Sequence, residues 1–284
     1  MLIYILLPFI LLVFAEQSIT YARDALKIWG TDVVPSLFPY MVLSRLVSLR
    51  MKEKGIPAFV CVPILGLLGG SPSGAAAIVG YASHLTHAQL HALCALCGTI
   101  SPMFFLGTVS RWYASHVLGK MLLAAHLGGA LLCSCMVYAF DCRRKEAAEA
   151  LSSPVRTIDD ADPVQQCITA ILNIGASIVI SSVAAGLFSA IPGTTDSVRA
   201  WIHALMEAAG GIHNLSQLSI AQNHRAYAAS AAAGFSGLSI LYQNLIFLKP
   251  LGIRIRHLVA YGLIRMVLST VIMLTLVQIG YILL

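Results

Sequence analysis

Long apolar stretches separated by short polar connections run through the whole chain. A membrane-crossing helix needs about 20 consecutive apolar residues, so several of these stretches are long enough to cross a bilayer. The apolar stretches cover residues 1–15, 56–83, 88–109, 121–140, 167–191, 198–215, 227–248 and 257–284. This pattern predicts an all-α polytopic membrane protein, built without strands.

The composition supports that class. Hydrophobic residues make up 58% of the 284 residues and charged residues only 11%, with a mean hydropathy of +0.83. Soluble domains carry about 25% charged residues. The net charge of +6 comes from basic residues at the ends of apolar runs, where positive charge orients membrane proteins, so it predicts no nucleic-acid partner. Seven cysteines, mostly within apolar runs, predict reduced thiols.

The first 54 residues contain three predicted features. Residues 1–15 have no basic region ahead of them, which favours an uncleaved first membrane helix over a signal peptide. Residues 16–29 have apolar positions near one helical face and predict an amphipathic helix at the membrane interface. In the segment 31–49, Pro35 and Pro39 interrupt an apolar run that has basic residues on both sides, which favours a re-entrant hairpin.

The stretch 66–74, GLLGGSPSG, is incompatible with a regular helix. It contains four glycines and one proline, and these cost about 1 and 3 kcal/mol per site in a helix. A broken backbone at membrane depth is tolerated only where it is buried in protein or lines a cavity. We therefore predict that a membrane helix is interrupted here.

A second interruption is predicted at 234–239, GFSGLS, in the other half of the chain. Aligning Gly69-x-Ser71 with Gly234-x-Ser236 gives an offset of 165 residues. Interrupted helices at corresponding positions of two halves are the best sequence pointer to the binding site of a transporter, although glycine and serine also serve close helix packing. We predict two inverted repeats with broken helices and re-entrant hairpins, divided as 1–30 (membrane and interfacial helices), 31–140 (repeat 1), 141–165 (polar linker) and 166–284 (repeat 2).

Helix ends at mid-membrane present unpaired N–H groups and a positive dipole, which together attract anions. Serine hydroxyls add donors and acceptors. These features predict a site for a small polar or anionic solute, with no cofactor and no catalytic group. The predicted solute-binding residues are Gly70, Ser71, Ser73, Gly74, Thr99, Ser101, Glu207, Gly234, Ser236, Gly237, Ser239 and Gln243.

Ionisable residues inside apolar runs are functional candidates. Glu207 is a candidate to coordinate a cation, carry a proton or bind solute; alternatively it pairs with Arg265 or caps a helix near a Gly210-Gly211 turn. Gln243 either lines the same cavity or makes an interhelical hydrogen bond, and Arg265 either binds an anion or neutralises Glu207. His84, His87 and His91 could share a helical face, but they favour an interfacial helix start over a zinc site, and the pair Cys94-x-x-Cys97 favours core packing.

Four motifs taken together resemble one protein family. They are 34–40 (VPSLFPY), 69–75 (GGSPSGA), 101–107 (SPMFFLG) and 234–239 (GFSGLS) with Gln243. In this order and spacing they resemble the YlbJ-type sporulation integral membrane proteins, which belong with the nucleoside-transporter/FeoB Gate-domain proteins. Two positions depart from the family pattern: Gly98-Thr99 replace an asparagine pair, and Ala208 to Gly211 replace a Thr-Asn-Gly motif.

The resemblance implies an inverted-repeat transporter fold with re-entrant hairpins in a bacterial cell or forespore membrane. It also implies a role in endospore formation and transport of dipicolinate, a small aromatic dianion. The alternatives are a non-transporting assembly or signalling factor of sporulation and a nucleoside-type permease. A cavity lined by both glycine-serine breaks would favour transport, whereas solid packing around the breaks would favour a structural role.

The orientation in the membrane is ambiguous from sequence. Three crossings after Lys54 would put the 141–165 linker on the opposite side of the membrane from Lys54. The basic run Arg143-Arg144-Lys145 instead indicates that the linker shares the cytoplasmic side with Lys54.

Overall fold

The structure, a computed structural model, describes residues 9, 11–143, 162–189 and 192–283. Most of the predicted first helix (1–15) and of the polar linker (141–165) therefore lies outside the described residues. Every regular element in the described ranges is helical. Five described helices are long and apolar enough to cross a membrane, as expected of a multi-pass integral membrane protein: Ala15–Met51, His116–Asp141, Pro163–Ser189, Gln222–Leu251 and Ile255–Gly280.

The chain begins with one continuous helical rod made of α1 (Ala15–Ile28), a π-helical turn (Trp29–Val33) and α2 (Val34–Glu53). The predicted re-entrant hairpin at 31–49 is therefore wrong. The Val34 N–H donates to the Trp29 carbonyl, and this wide turn relieves the clash that Pro35 would otherwise cause.

Residues 16–29 are helical, as predicted, but the face of α1 that carries Ser18 and Ala25 is buried against another helix, while Ile19 and Leu26 of the predicted apolar face are exposed. The Trp29 indole nitrogen donates to the Ile171 carbonyl at 3.2 Å, and the Tyr21 ring lies against Gly186. Both contacts are with α7 (Pro163–Ser189), so α1 packs lengthwise on a candidate span.

The predicted interruption at 66–74 is present. Helix α3 (Ala58–Gly69) ends at Gly70, and α4 (Ser73–Gly80) begins after Pro72. A Cβ on Gly74 would lie 3.0 Å from the Gly66 Cα and 2.7 Å from the Cys97 Cβ. The two helices therefore fold back on each other as a helical hairpin, called hairpin 1, which packs against Cys97 of the next helix.

A broken helix and an intact helix follow hairpin 1. Helix α5 (His87–Cys97) begins with a capping box between Thr86 and Gln89. The chain is then irregular through 98–101, continues as a π-helical segment (Phe104–Val109) with a short helical turn (Ser110–Trp112), and enters α6 (His116–Asp141). The interruption near Ser101-Pro102 is thus confirmed.

The second half repeats this order of elements. After α7, helices α8 (Asp196–Met206) and α9 (Ala208–Ser216) form hairpin 2, whose legs touch where a Cβ on Gly211 would lie 2.1 Å from the Ala204 Cα. Helices α10 (Gln222–Phe235) and α11 (Gly237–Leu248) are separated at Ser236, as predicted, and α12 (Ile255–Leu283) ends the chain.

The break at Glu207 was not anticipated, and the predicted turn at Gly210-Gly211 is wrong. Both glycines lie inside α9, while Glu207 is extended with φ −144° and ψ 124°. The carboxylate of Glu207 replaces helical hydrogen bonds at this point, as described below, so the chain can turn without a glycine.

Contacts define two ends of the helical bundle. At the Asp141 end, His91 contacts Tyr261 and lies 3.9 Å from Asp141, so the start of α5, the end of α6 and the start of α12 meet. At the Tyr113 end, the Tyr113 hydroxyl donates to the Arg225 carbonyl at the start of α10. Two separate core clusters follow this division, one around hairpin 1 and one around hairpin 2.

Candidate functional site

The interruptions of the two broken helices meet inside the bundle. The Ser236 hydroxyl lies within hydrogen-bond distance of two carbonyls, that of Gly98 at 3.2 Å and that of Ala233 at 3.0 Å, which share its one proton, and Ser236 is fully buried. Its backbone is left-handed, with φ 71°. A side chain at the second break therefore helps to satisfy a carbonyl that the first break leaves open, which allows this carbonyl to be buried.

The tip of hairpin 1 packs on the break in α5. The Ser71 N–H donates to the Thr99 carbonyl at 2.7 Å. Gly70 has φ 66° and ψ −168°, and a Cβ there would lie 2.7 Å from the Ser101 backbone nitrogen. Only glycine fits this position, because both the dihedral angles and the close approach exclude a side chain.

The tip of hairpin 2 packs in the same way on the break between α10 and α11. A Cβ on Gly237 would lie 2.9 Å from the Ala208 backbone nitrogen. Glu207 is 2% exposed and caps α9: its Oε1 accepts from the Ala209 N–H at 2.8 Å, and its Oε2 accepts from the Gly210 N–H at 2.6 Å. Helix N-termini stabilise such negative charge. The N-terminus of α9 is therefore occupied by a carboxylate of the chain itself, which is the cap that the sequence offered as an alternative role for Glu207.

A cavity lies between the two hairpin tips. It leaves about 40 Å³ for the centres of water-sized molecules, which is room for a few waters or a small group. Its polar wall is formed by Ser71 of hairpin 1, Ser101 of the first break, Glu207 of hairpin 2, and Ser239 and Gln243 of α11. The remaining wall is apolar and comes mainly from Val33, Leu37, Ile100, Phe104, Ile174, Ile178 and Ile240.

The structure places the twelve predicted site residues in two groups. Five of them line the cavity: Ser71, Ser101, Glu207, Ser239 and Gln243. The others lie outside the cavity lining, and six of these are buried in helix packing: Gly70, Gly74, Thr99, Gly234, Ser236 and Gly237. Ser73, at the start of α4, is half-buried. The glycines are needed for close contact, as at Gly234, where a Cβ would lie 2.7 Å from the Arg265 carbonyl oxygen.

Hydrogen bonds organise the polar wall of the cavity. The Ser239 hydroxyl lies 3.0 Å from the Ser177 hydroxyl of α7, and the Gln243 amide donates to Ser239 at 3.3 Å. The Ser71 hydroxyl donates to the Asn244 Oδ1 at 2.7 Å, and both residues are buried. This last bond joins the tip of hairpin 1 to the second half of the chain.

Asn244, which binds Ser71, is not among the site residues predicted from the sequence. Its neighbour Gln243 was selected because it follows the second break by about two turns, and the same reasoning applies to the next residue. Apolar helices bury few amides, so a Gln-Asn pair in such a run is itself a usable signal.

Arg265 supports the broken α5. The side chain is buried, and its Nη1 donates to the Ala95 carbonyl at 3.2 Å in the last turn of α5, while Nη2 lies 3.5 Å from the Ser236 hydroxyl. Cations stabilise helix C-termini. His126 adds a second support, since its Nε2 accepts from the Ile100 N–H at 3.0 Å. Glu207 and Arg265 thus each satisfy a helix end, at different places, and the proposed ion pair between them is not formed.

The remaining sequence candidates fall outside this site. Cys94 and Cys97 are buried in the core around hairpin 1, as predicted. In the part of the chain that the structure describes, no group of three histidine, cysteine or acidic side chains is arranged to hold a metal ion.

Comparisons with known proteins leave the site to be interpreted from its own chemistry. No protein-family model, no curated protein and no solved structure matches this chain.

Proposed function

We propose that the protein is a membrane transporter of a small polar solute and that the cavity between the hairpin tips is its binding site. One observation carries the proposal: a single cavity is bounded by Ser71 of hairpin 1, Glu207 of hairpin 2 and the start of α11. Ligand sites are mostly apolar cavities with a few placed polar groups, and transporters place them where interrupted helices meet.

We further propose that the two halves are inverted repeats. Each half contains a hairpin, a broken helix and a long helix in that order. This order pairs Ser71 with Glu207 and Ile100 with Ser236, at the same separation in both pairs, instead of the Gly69–Gly234 pairing suggested by the motifs. Hairpin 1 starts from the Asp141 end and hairpin 2 from the Tyr113 end, so both would be re-entrant from opposite membrane faces. Movement of either tip would open the cavity to one side, which is the requirement for alternating access.

The charge of the cavity bears on the class of solute. Glu207 is the charged member of the lining set, and its carboxylate oxygens retain lone pairs beyond the two backbone bonds. The dianion implied by the family resemblance would face this carboxylate without a lining cation. A solute that donates hydrogen bonds, such as a nucleoside, suits this charge better than a dianion does, and this favours the permease alternative over dipicolinate. Either solute would need the hairpin tips to move apart, because the cavity as it stands holds only a few waters or a small group.

Uptake into reconstituted vesicles tests the proposal with a panel of small dicarboxylates, dipicolinate among them, and nucleosides. Hydrogen bonds to a charged group contribute about 1.5–3 kcal/mol, so Glu207→Gln should reduce uptake of a donor solute by roughly tenfold or more at subsaturating concentration. The same change should increase uptake of a dianion. Ser71→Ala should reduce uptake of either class.

Thr275→Ala is the matched control, because the Thr275 hydroxyl is exposed on α12 and bonds only the carbonyl of Val271 in its own helix. Unchanged uptake in both cavity variants would remove the site assignment. A wild-type protein that inserts normally but carries no solute in the panel would favour the non-transporting sporulation factor.

A further inference from the structure

Basic side chains gather at the Asp141 end of the bundle. They follow α2, follow α6, and fill the connection between α11 and α12. The exposed members are Arg50, Lys54, Arg143, Lys249, Arg254 and Arg256, called here the basic rim. Among the described residues, the acids at this end are Glu53, which pairs with Arg50 at 2.9 Å, the half-buried Asp141, and Asp162, so positive charge is in excess within the described part of this end.

Hairpin 1 is the reason that these residues share one end. Because α3 and α4 fold back instead of crossing, Lys54 and the start of α5 lie on the same side. Helices α5 and α6 then lead away and back, which returns Arg143 to this end. The contacts of His91 with Tyr261 and Asp141 confirm that the three helix ends meet. With hairpin 1 not counted as a crossing, two crossings follow Lys54, and Lys54 and Arg143 lie at the same end, as the positions of the basic residues indicated.

Exposed apolar side chains lie directly inside the basic rim. Phe59 is the second residue of α3, just after the turn that holds Lys54. Phe140 precedes Arg143 and Ile246 precedes Lys249, and each of the three apolar side chains is at least 60% exposed. Exposed apolar surface of this kind is what a polytopic protein presents to acyl chains. A rim of basic residues just beyond it stands at the depth of lipid headgroups.

The Tyr113 end differs in its charge pairing. Arg111 binds Asp32, and Arg199 lies 3.7 Å from Asp196. On α1, the exposed bases Arg23 and Lys27 alternate with the exposed acids Glu16 and Asp24. Acids therefore accompany four of the six described bases at this end, and Lys120 and Arg225 are the two that remain.

We propose that the basic rim binds the headgroups of anionic phospholipids and holds the Asp141 end at the cytoplasmic face. Anionic leaflets attract each nearby lysine or arginine, and lysine and arginine bias sets the orientation of membrane proteins. This inference does not depend on solute transport, since it would hold equally for a non-transporting membrane factor.

Lipid selectivity is measured with a tryptophan placed beside the rim by Tyr242→Trp, at an exposed position of α11, and its signal is the difference between this variant and the parent protein, which itself contains Trp29, Trp112 and Trp201. In vesicles, brominated phosphatidylglycerol should quench this tryptophan at lower mole fraction than brominated phosphatidylcholine, and high salt should reduce the difference. Adding Lys249→Gln, Arg254→Gln and Arg256→Gln should lower the preference for phosphatidylglycerol at least fivefold. The matched triple Arg23→Gln, Lys27→Gln and Lys120→Gln at the other end should leave it unchanged. Equal quenching by the two lipids, or equal loss in both triples, would overturn the lipid proposal.

Orientation is measured separately by thiol labelling. Cys135 and Cys142 are the exposed cysteines of the described residues, so Cys135→Ser leaves Cys142 as the reporter of the Asp141 end. A membrane-impermeant maleimide should label Cys142 in inside-out vesicles and leave it unlabelled in intact cells. A reporter made by Ser197→Cys, with Cys135 and Cys142 replaced by serine, should show the opposite. Labelling of Cys142 in intact cells would overturn the assignment of this end to the cytoplasm.

Discussion

Hairpin 1 turns over three uncharged residues, Gly70, Ser71 and Pro72, whereas hairpin 2 turns over the single charged residue Glu207. The first tip is held by other elements, through Thr99 and Asn244. The second tip is held by itself, because the Glu207 carboxylate bonds the first N–H groups of the helix that follows it.

A break in a helix can thus be buried in two ways, with hydrogen bonds from distant residues or with a cap from the break's own side chain. A tip held by distant residues depends on the packed state of the bundle, so it can be released when its partners move. A tip closed by its own carboxylate keeps its shape independently of its neighbours. We therefore expect the tip of hairpin 1 to be the more mobile of the two tips and the tip of hairpin 2 to be the more rigid.

At the two hairpin tips, the largest expected effect is that of Gly70→Ala in hairpin 1. Alanine is strained by about 1–3 kcal/mol at φ 66° and ψ −168°, and its Cβ would in addition approach the Ser101 nitrogen to 2.7 Å. We expect a large loss of thermal stability in detergent, measured by unfolding of the purified protein. Gly80→Ala, in the same hairpin with open space around it, is the control and should be close to wild type. Equal stability of both variants would show that the tip is not packed as described.

The second effect concerns the self-capped tip of hairpin 2. Glu207→Ala removes a cap worth about 1–2 kcal/mol and leaves two buried N–H groups without an acceptor. Glu207→Gln keeps one acceptor oxygen and should lose less stability. If thermal unfolding showed no difference between alanine and glutamine, the carboxylate would not be acting as the cap.

The third effect measures the link between the two halves. Ser71 and Asn244 form a buried hydrogen bond of 2.7 Å, so a double-mutant cycle with Ser71→Ala and Asn244→Ala should give a coupling energy of about 0.5–1.5 kcal/mol. The cycle is measured by thermal or denaturant unfolding. A parallel cycle with Ser71→Ala and Thr275→Ala should be additive, because Thr275 lies on the exposed side of α12. Additivity in the first cycle as well would exclude a stabilising contact between hairpin 1 and α11.

The two tips also show what could be predicted from sequence. Gly70 and Pro72 in the first half, and Gly234 and Gly237 in the second, made the two breaks predictable, because glycine and proline are unfavourable in helices whatever surrounds them. Glu207 did not, since an acid in an apolar run is compatible with a ligand, an ion pair or a cap, and only the folded chain shows which N–H groups it meets. The two prolines of α2 led to a prediction of a break that the structure does not show. A π-helical turn just before α2 accommodates Pro35, and no local sequence pattern predicts such a turn.

That the two legs of hairpin 1 fold back on each other could likewise be predicted only in part from the sequence. That 66–74 breaks a helix follows from local energetics, but that α4 returns along α3 depends on Gly66 and Gly74 both meeting Cys97. This contact is between residues far apart in sequence, so the sequence predicted an interruption and left the number of crossings open.

The smallest expected effect distinguishes two adjacent glycines of hairpin 2. At Gly210 a Cβ would lie 3.2 Å from the Glu207 Oε2, while at Gly211 it would lie 2.1 Å from the Ala204 Cα. Alanine gains about 1 kcal/mol over glycine inside a helix, so Gly210→Ala should be within about 0.5 kcal/mol of wild type if the carboxylate shifts slightly. Gly211→Ala should destabilise strongly, because the backbone of α8 cannot give way. A clear loss of stability in Gly210→Ala would mean that the carboxylate cannot move, and hairpin 2 would then be even more rigid than its self-capped tip implies.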